Sequence, residues 1–297
     1  MNDSKGLVAA FLAHGLWGLF PLYFYLLERS NPVEIVAHRV WWTFLLCVVV
    51  ATIIGAWRRV REILSNRRLV AFLLTAGVLV TLNWLLYVYA VLTDHVVDAA
   101  LGYFINPLVT VILAVIFLKE RVRSAQMVAL GIGLVAVVVI IVGTGRPPWI
   151  GLGLALTFGF YSLVKSKVGH RVTPIIGLGI ETFALAPFSL GLIIALEITR
   201  TSTMTTIGWG YALLLVGTGV VTAVPLLLFA VGAARLSLVS LAFIQYVTPT
   251  IQFLIGVLVF GEQMPLVRWI GFILIWVALI ILSWDTVRRS RTNVEVE

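Results

Sequence analysis

Apolar runs of about 20 residues, separated by short polar breaks, recur along the whole chain. They cover 6–27, 33–56, 69–92, 97–118, 124–143, 148–164, 174–196, 209–231, 238–260 and 266–284. A helix needs about 20 mainly apolar residues to cross a hydrocarbon core about 30 Å thick. The pattern therefore predicts an all-α integral membrane protein with ten transmembrane helices. Pro32, Pro148, Pro174 and Pro265 fall at or near helix starts, where the missing N–H costs nothing. The first run is followed by Glu28-Arg29 and not by a small-residue cleavage site, so it reads as a retained helix and not a signal peptide.

Composition agrees with this pattern: 61% of residues are hydrophobic and 11% are charged. Soluble domains carry about 25% charged residues, so a water-soluble globule is excluded. The net charge of +8 is then a matter of where the basic residues lie. With the N-terminus inside, 16 of the 21 Lys and Arg residues fall on the cytoplasmic side, in the groups around Lys5, Arg58–Arg68, Lys119–Arg123, Lys165–Arg171, Arg235 and Arg288–Arg291. Four, Arg29, Arg146, Arg200 and Arg268, fall outside, and Arg39 lies within a run. Lys and Arg accumulate on the cytoplasmic side of short loops, so both termini are expected in the cytoplasm. The loops are too short to build a basic face for nucleic acid. The single cysteine, Cys47, sits in an apolar run and has no partner for an intrachain disulfide.

The chain also repeats. An offset of 142 lays residues 101–120 over 243–262, matching Pro107 with Pro249 and Glu120 with Glu262. The same offset pairs Pro32 with Pro174, Gly77 with Gly219, and Tyr87 with Phe229. An offset of 144 lays 13–18 over 157–162. Chance matching of apolar runs accounts for shared leucines and valines, but not for two Pro-to-Glu spacings of 13 in one register. The expected organisation is a first five-helix repeat over 1–146, a second over 147–285 and a cytoplasmic tail over 286–297. Because five is odd, the halves have opposite orientations. Inverted repeats of this kind place a substrate site between the halves near mid-depth and open it alternately to the two sides.

Charged groups inside a span are costly and need a reason. Arg39 and Glu181 lie seven residues past Pro32 and Pro174, at the same repeat position with opposite charge. No direct ion pair between them is expected. Each would line one half of a polar cavity. Otherwise Arg39 would snorkel to the headgroups or pair with Glu34, and Glu181 would be a protonated carboxyl bonded to a neighbouring helix. His14 and His38 are also within spans and are candidates, with Glu181, for proton coupling; the alternative for each is an interhelical hydrogen bond. His95 and His170 read as loop residues. Asn83, Asn106, Gln245 and Gln252 are intramembrane amides, and Asn106-Pro107 and Thr248-Pro249 predict bends at matching places, whether to expose backbone to a cavity or only to adjust packing. Trp17, Trp84, Tyr87, Tyr103 and Tyr161 are deep enough to line a pocket suited to an amphipathic organic molecule. The sequence holds no metal spacing such as His-Glu-x-x-His and no phosphate loop, so neither metal, cofactor nor catalysis is expected.

Ala37-His38-Arg39-Val40-Trp41, Asn83-Trp84-Leu85-Leu86, Leu101 to Leu108, Phe117 to Arg121 and Gln245-Tyr246-x-x-Pro249-Thr250 resemble the RarD family of bacterial permeases, in the EamA-like branch of the drug/metabolite transporter superfamily. The resemblance covers nearly the whole chain. It implies ten helices in two inverted five-helix repeats and export of small metabolites or drugs. Superfamily members often have a Trp-Gly pair and a counterpart in the second half; here these are Trp17-Gly18 and Tyr161-Ser162, so the halves have diverged. The expected function is secondary transport of a small organic solute through the bilayer, with Arg39, Asn83, Trp84, Tyr87, Tyr103, Asn106, Gln245, Trp17 and Tyr161 contacting it. The competing class is a membrane-embedded enzyme or sensor acting on lipid or peptide. Solute, coupling and oligomeric state, a homodimer included, stay open at this level.

Overall fold

The computed structural model describes residues 4–119, 122–168, 171–236 and 238–294. Glu120, Arg121 and His170 lie outside the described residues, as do the side chains of Arg288, Arg289 and Arg291. Every regular element is a helix among the described residues. In chain order they are α1 (Ser4–Gly18), α2 (Phe20–Tyr25), α3 (Pro32–Ile53), α4 (Trp57–Leu64), α5 (Arg67–Leu92), α6 (Val96–Leu118), α7 (Ser124–Thr144) and α8 (Trp149–Val168). There follow α9 (Pro174–Phe183), α10 (Ala186–Ile198), α11 (Thr203–Thr206), α12 (Trp209–Ala233), α13 (Leu238–Ile244), α14 (Val247–Leu258) and α15 (Leu266–Val294). Eight spans in this set are long and apolar enough to cross a membrane, nine if α9 and α10 count as one broken span.

Eight or nine of the ten expected spans are therefore matched by length and composition among the described residues, and the helix is interrupted within three of the ten runs. The breaks have proline causes. Pro21 has no N–H for the carbonyl of Trp17, and the chain leaves the helix at Leu19 between α1 and α2. Pro187 likewise cannot serve Phe183, and α9 and α10 meet at 54°. Pro249 cannot serve Gln245, and the turn between α13 and α14 falls there. Pro107, in contrast, sits inside an uninterrupted α6, so of the two matched prolines only Pro249 coincides with a helix break.

Local signals set several starts. Asn31 Oδ1 accepts from Glu34 N at 2.9 Å ahead of Pro32, and Asn66 Oδ1 accepts from Leu69 N at 3.1 Å. These side chains supply acceptors for first-turn N–H groups that have no helical partner. At α6 the acceptor comes from far away: Glu262 Oε1 takes Val96 N at 2.5 Å and Oε2 takes Val97 N at 3.0 Å. The short α4 carries Arg58, Arg59 and Arg61 and buries Ile63, the pattern of a helix lying at an interface.

α8 packs between α5 and α6, α12 packs between α1 and α3, and α14 packs on α1 and α6. α3 meets α9 and α10, α5 meets α9, and α7 meets α15. Close approaches fall at glycine. A methyl group on Gly77 of α5 would strike the backbone of Glu181, and one on Gly219 of α12 would lie 2.6 Å from the Trp42 carbonyl carbon. The outside of the bundle is apolar, with Ile53, Val142, Ile198 and Trp209 each more than three-quarters exposed. Apolar exposure on this scale is compatible with a lipid surround and not with water.

Candidate functional site

Arg39 lies on α3 with 3% of its surface exposed. Its guanidinium carbon sits 4.2 Å from the ring centre of Trp84, 5.2 Å from Phe24 and 5.4 Å from Phe20. Nε donates to Thr222 Oγ1 at 2.9 Å, while Nη1 is buried without a hydrogen-bond partner. No carboxylate pairs with it among the described residues. Both alternatives raised for Arg39 therefore fail. It is too buried to snorkel, and Glu34 is turned away, its Oε1 accepting from Thr203 N at 2.7 Å. Three aromatic faces offset part of the lost hydration of this cation, an arrangement that the one-dimensional pattern did not reveal because Phe20 and Phe24 look like ordinary core residues.

Around this cage the polar groups knit α1, α5, α6, α8 and α14 together. Gln252 Nε2 donates to Trp17 O at 3.1 Å and lies 3.1 Å from Tyr87 Oη. The Trp17 carbonyl is available because Pro21 gives it no helical donor. Asn83 Nδ2 donates to Leu154 O at 3.1 Å and Thr157 Oγ1 at 2.9 Å, and its Oδ1 accepts from Tyr103 Oη at 3.3 Å. Gln252 Oε1 and Asn106 Oδ1 are buried acceptors without partners. Gln245 is exposed at the α13–α14 turn, and Gln252, two turns further on, takes the place expected for it.

Glu181 lies on α9 and is 1% exposed. It is an ion-paired carboxylate: Lys165 Nζ is 2.5 Å from Oε1, and Tyr161 Oη donates to Oε2 at 3.3 Å. The apolar run ends at residue 164 and places Lys165 among the cytoplasmic loop charges, but α8 continues to Val168 and holds Lys165 one turn after Tyr161. That i, i+4 spacing was the signal available in the sequence. The two charged groups are joined by rings. From Phe24 beside Arg39, centroid separations of 6.1 Å to Tyr87, 6.0 Å on to Tyr103, 6.2 Å to Phe158 and 5.6 Å to Tyr161 lead to Glu181.

His14 and His38 each make one side-chain contact through Nδ1, while Nε2 of each is buried without a hydrogen-bond partner among the described residues. His14 Nδ1 lies 3.0 Å from Thr248 Oγ1, whose hydroxyl also contacts His14 O, and the ring meets Trp17 edge-on at 5.2 Å. His38 Nδ1 accepts from Trp42 Nε1 at 3.2 Å.

Residues 4–142 and 148–284 each match the EamA-like transporter family. The chain belongs to this family. Among EamA-like relatives it is 45% identical to protein RarD of Streptomyces exfoliatus, over 99% of this chain and 94% of that protein. It is 38% identical to protein RarD of Escherichia coli K12, over 98% and 97%, and 37% identical to the uncharacterized transporter YojE of Bacillus subtilis, over 98% of each. A solved structure, 17% identical, superposes with a TM-score of 0.60 over 94% of this chain and 97% of that one, a likeness of fold. This EamA-like chain is thus a multi-pass protein of the bacterial inner membrane and a membrane transporter.

Proposed function

We propose that the chain is a secondary transporter that moves a small organic solute by alternating access. Its ten membrane-crossing segments would form two inverted repeats, 1–146 and 147–285, with the tail from 286 and the N-terminus in the cytoplasm. The observation that carries this reading is a reciprocal packing rule. α8 against α5 and α6 in one half corresponds to α1 against α12 and α14 in the other, and α5 on α9 corresponds to α12 on α3. Gly77 and Gly219, one repeat apart, each make the close approach to the opposite half. Two halves related in this way can exchange roles, which is what opening to either side requires.

In this reading Arg39, Trp84, Asn83, Tyr87, Tyr103, Asn106, Trp17 and Tyr161 line the path, joined by Gln252 where Gln245 was expected. Glu181, with Lys165 and Tyr161, is the proton-coupling group. His14 and His38, being held by Thr248 and Trp42, serve packing. Purified protein in liposomes, preloaded with members of a panel of amino acids, nucleosides, organic acids and drugs, should accumulate at least one labelled member by counterflow. Protein that moves and binds none of the panel contradicts the reading.

A further inference from the structure

Arg39 and Glu181 hold equivalent positions in the two proposed repeats, yet only Glu181 has its countercharge in the chain, in Lys165. A guanidinium does not deprotonate to escape burial. Removing it from water is costly unless an anion and further hydrogen bonds replace the hydration. Trp84, Phe24, Phe20 and Thr222 Oγ1 replace part of it, but Nη1 points at no acceptor. Nη1 and its neighbours form the planar donor edge that a carboxylate matches.

We infer that the transported solute is a monocarboxylic acid with a flat apolar body, its carboxylate docking on Arg39 and its body on the Trp84, Phe24 and Phe20 faces. This rests on the transport reading above. The charge bookkeeping favours a monoanion. Arg39 is the one cation the described residues bring to this cage, so a second phosphate charge would go unmatched. No carboxylate pairs with Arg39 among the described residues, Glu34 Oε1 facing Thr203 N and Glu181 facing Lys165, so the ammonium of a zwitterion would find no anion beside the guanidinium. At 3% exposure, Arg39 is reached only when the surrounding helices part, as alternating access demands.

The test compares benzoate, phenylacetate and indole-3-acetate with their neutral amides and with phenethylamine, on the full-length wild-type protein, by thermal stabilisation and by counterflow in liposomes. One or more acids should bind about tenfold to a hundredfold more tightly than its amide. Arg39→Gln should remove that preference, and Arg39→Lys should keep part of it. The acid–amide comparison needs no variant, so it stands even if a variant fails to fold. Movement of amides or phenethylamine in preference to acids, or an unchanged acid preference in Arg39→Gln, overturns the inference and leaves transport intact. No movement of any solute in this set and in the wider panel overturns the transport reading and the inference with it.

Discussion

Lys165 reaches across from α8 to Glu181 on α9 and neutralises it, with Tyr161 donating to the second carboxylate oxygen. Removing one partner of a pair like this leaves the other charge poorly compensated, whereas removing both leaves neither. Glu181→Gln and Lys165→Met should each lower stability, and the double variant should lose less than their sum, with a coupling of about 1–3 kcal/mol. Thermal unfolding in detergent measures the cycle; additive losses would show that the pair is not coupled. In liposomes Glu181→Gln should abolish proton-driven uptake while sparing solute exchange, and a pH dependence equal to wild type would remove Glu181 as the coupling group.

Gln252 supplies the hydrogen bond that Pro21 denies to the Trp17 carbonyl. Gln252→Leu should cost about 1–3 kcal/mol, since a buried carbonyl loses its partner. Pro21→Ala restores an N–H one turn along, so it should recover part of that loss in the Gln252→Leu background. Thermal melts of the two single variants and the double variant decide this, and a double variant weaker than Gln252→Leu contradicts the account.

The two glycine contacts should be equally intolerant. Gly77→Ala and Gly219→Ala push a methyl group into backbone that cannot rotate away, at Glu181 and Trp42 respectively. Each should cost about 1–3 kcal/mol or more. Gly15→Ala meets nothing within 4 Å and serves as the control. Melting temperatures and uptake rates for the three variants provide the check; tolerance at Gly77 or Gly219 would mean that the helix crossing is looser than described.

Glu262, in the loop between α14 and α15, gives a pH signature. Burial raises its carboxyl from the ordinary 4.5 to about 7, the hydrogen bonds from Val97 and Val96 pulling the other way. Because the folded value lies above the unfolded one, its contribution to stability is complete below about pH 4.5 and is lost as pH rises through about 7. The melting temperature of wild type relative to Glu262→Gln should therefore fall between about pH 5 and pH 8. Parallel melting curves for the two proteins across that range would refute the assignment.

Much of this was readable from one dimension. Apolar run length located every long helix, and the 142-residue offset singled out Arg39, Glu181, Gly77 and Gly219 before any packing was known. What the pattern missed depends on side chains meeting across distant segments. Lys165 looked like a loop charge because hydropathy falls before the helix ends, and Phe20 and Phe24 carry no mark that separates a cation cage from core. Gln245 and Gln252 are equally polar, and only the Pro249-linked turn decides which of them faces Tyr87 and Trp17. Pro21 and Pro187 did signal breaks, but a run-length criterion reads through a proline inside an apolar stretch.

Access to the Arg39 level from both membrane faces tests the account most directly. Thr43 lies one turn after Arg39 on α3, is 0% exposed, and its hydroxyl has no partner, so Thr43→Cys in a Cys47→Ala background is a mild probe. A membrane-impermeant maleimide should label this cysteine in right-side-out and in inside-out vesicles, more slowly when a transported solute is present. Labelling from one face only, or from neither, would contradict alternating access through this site.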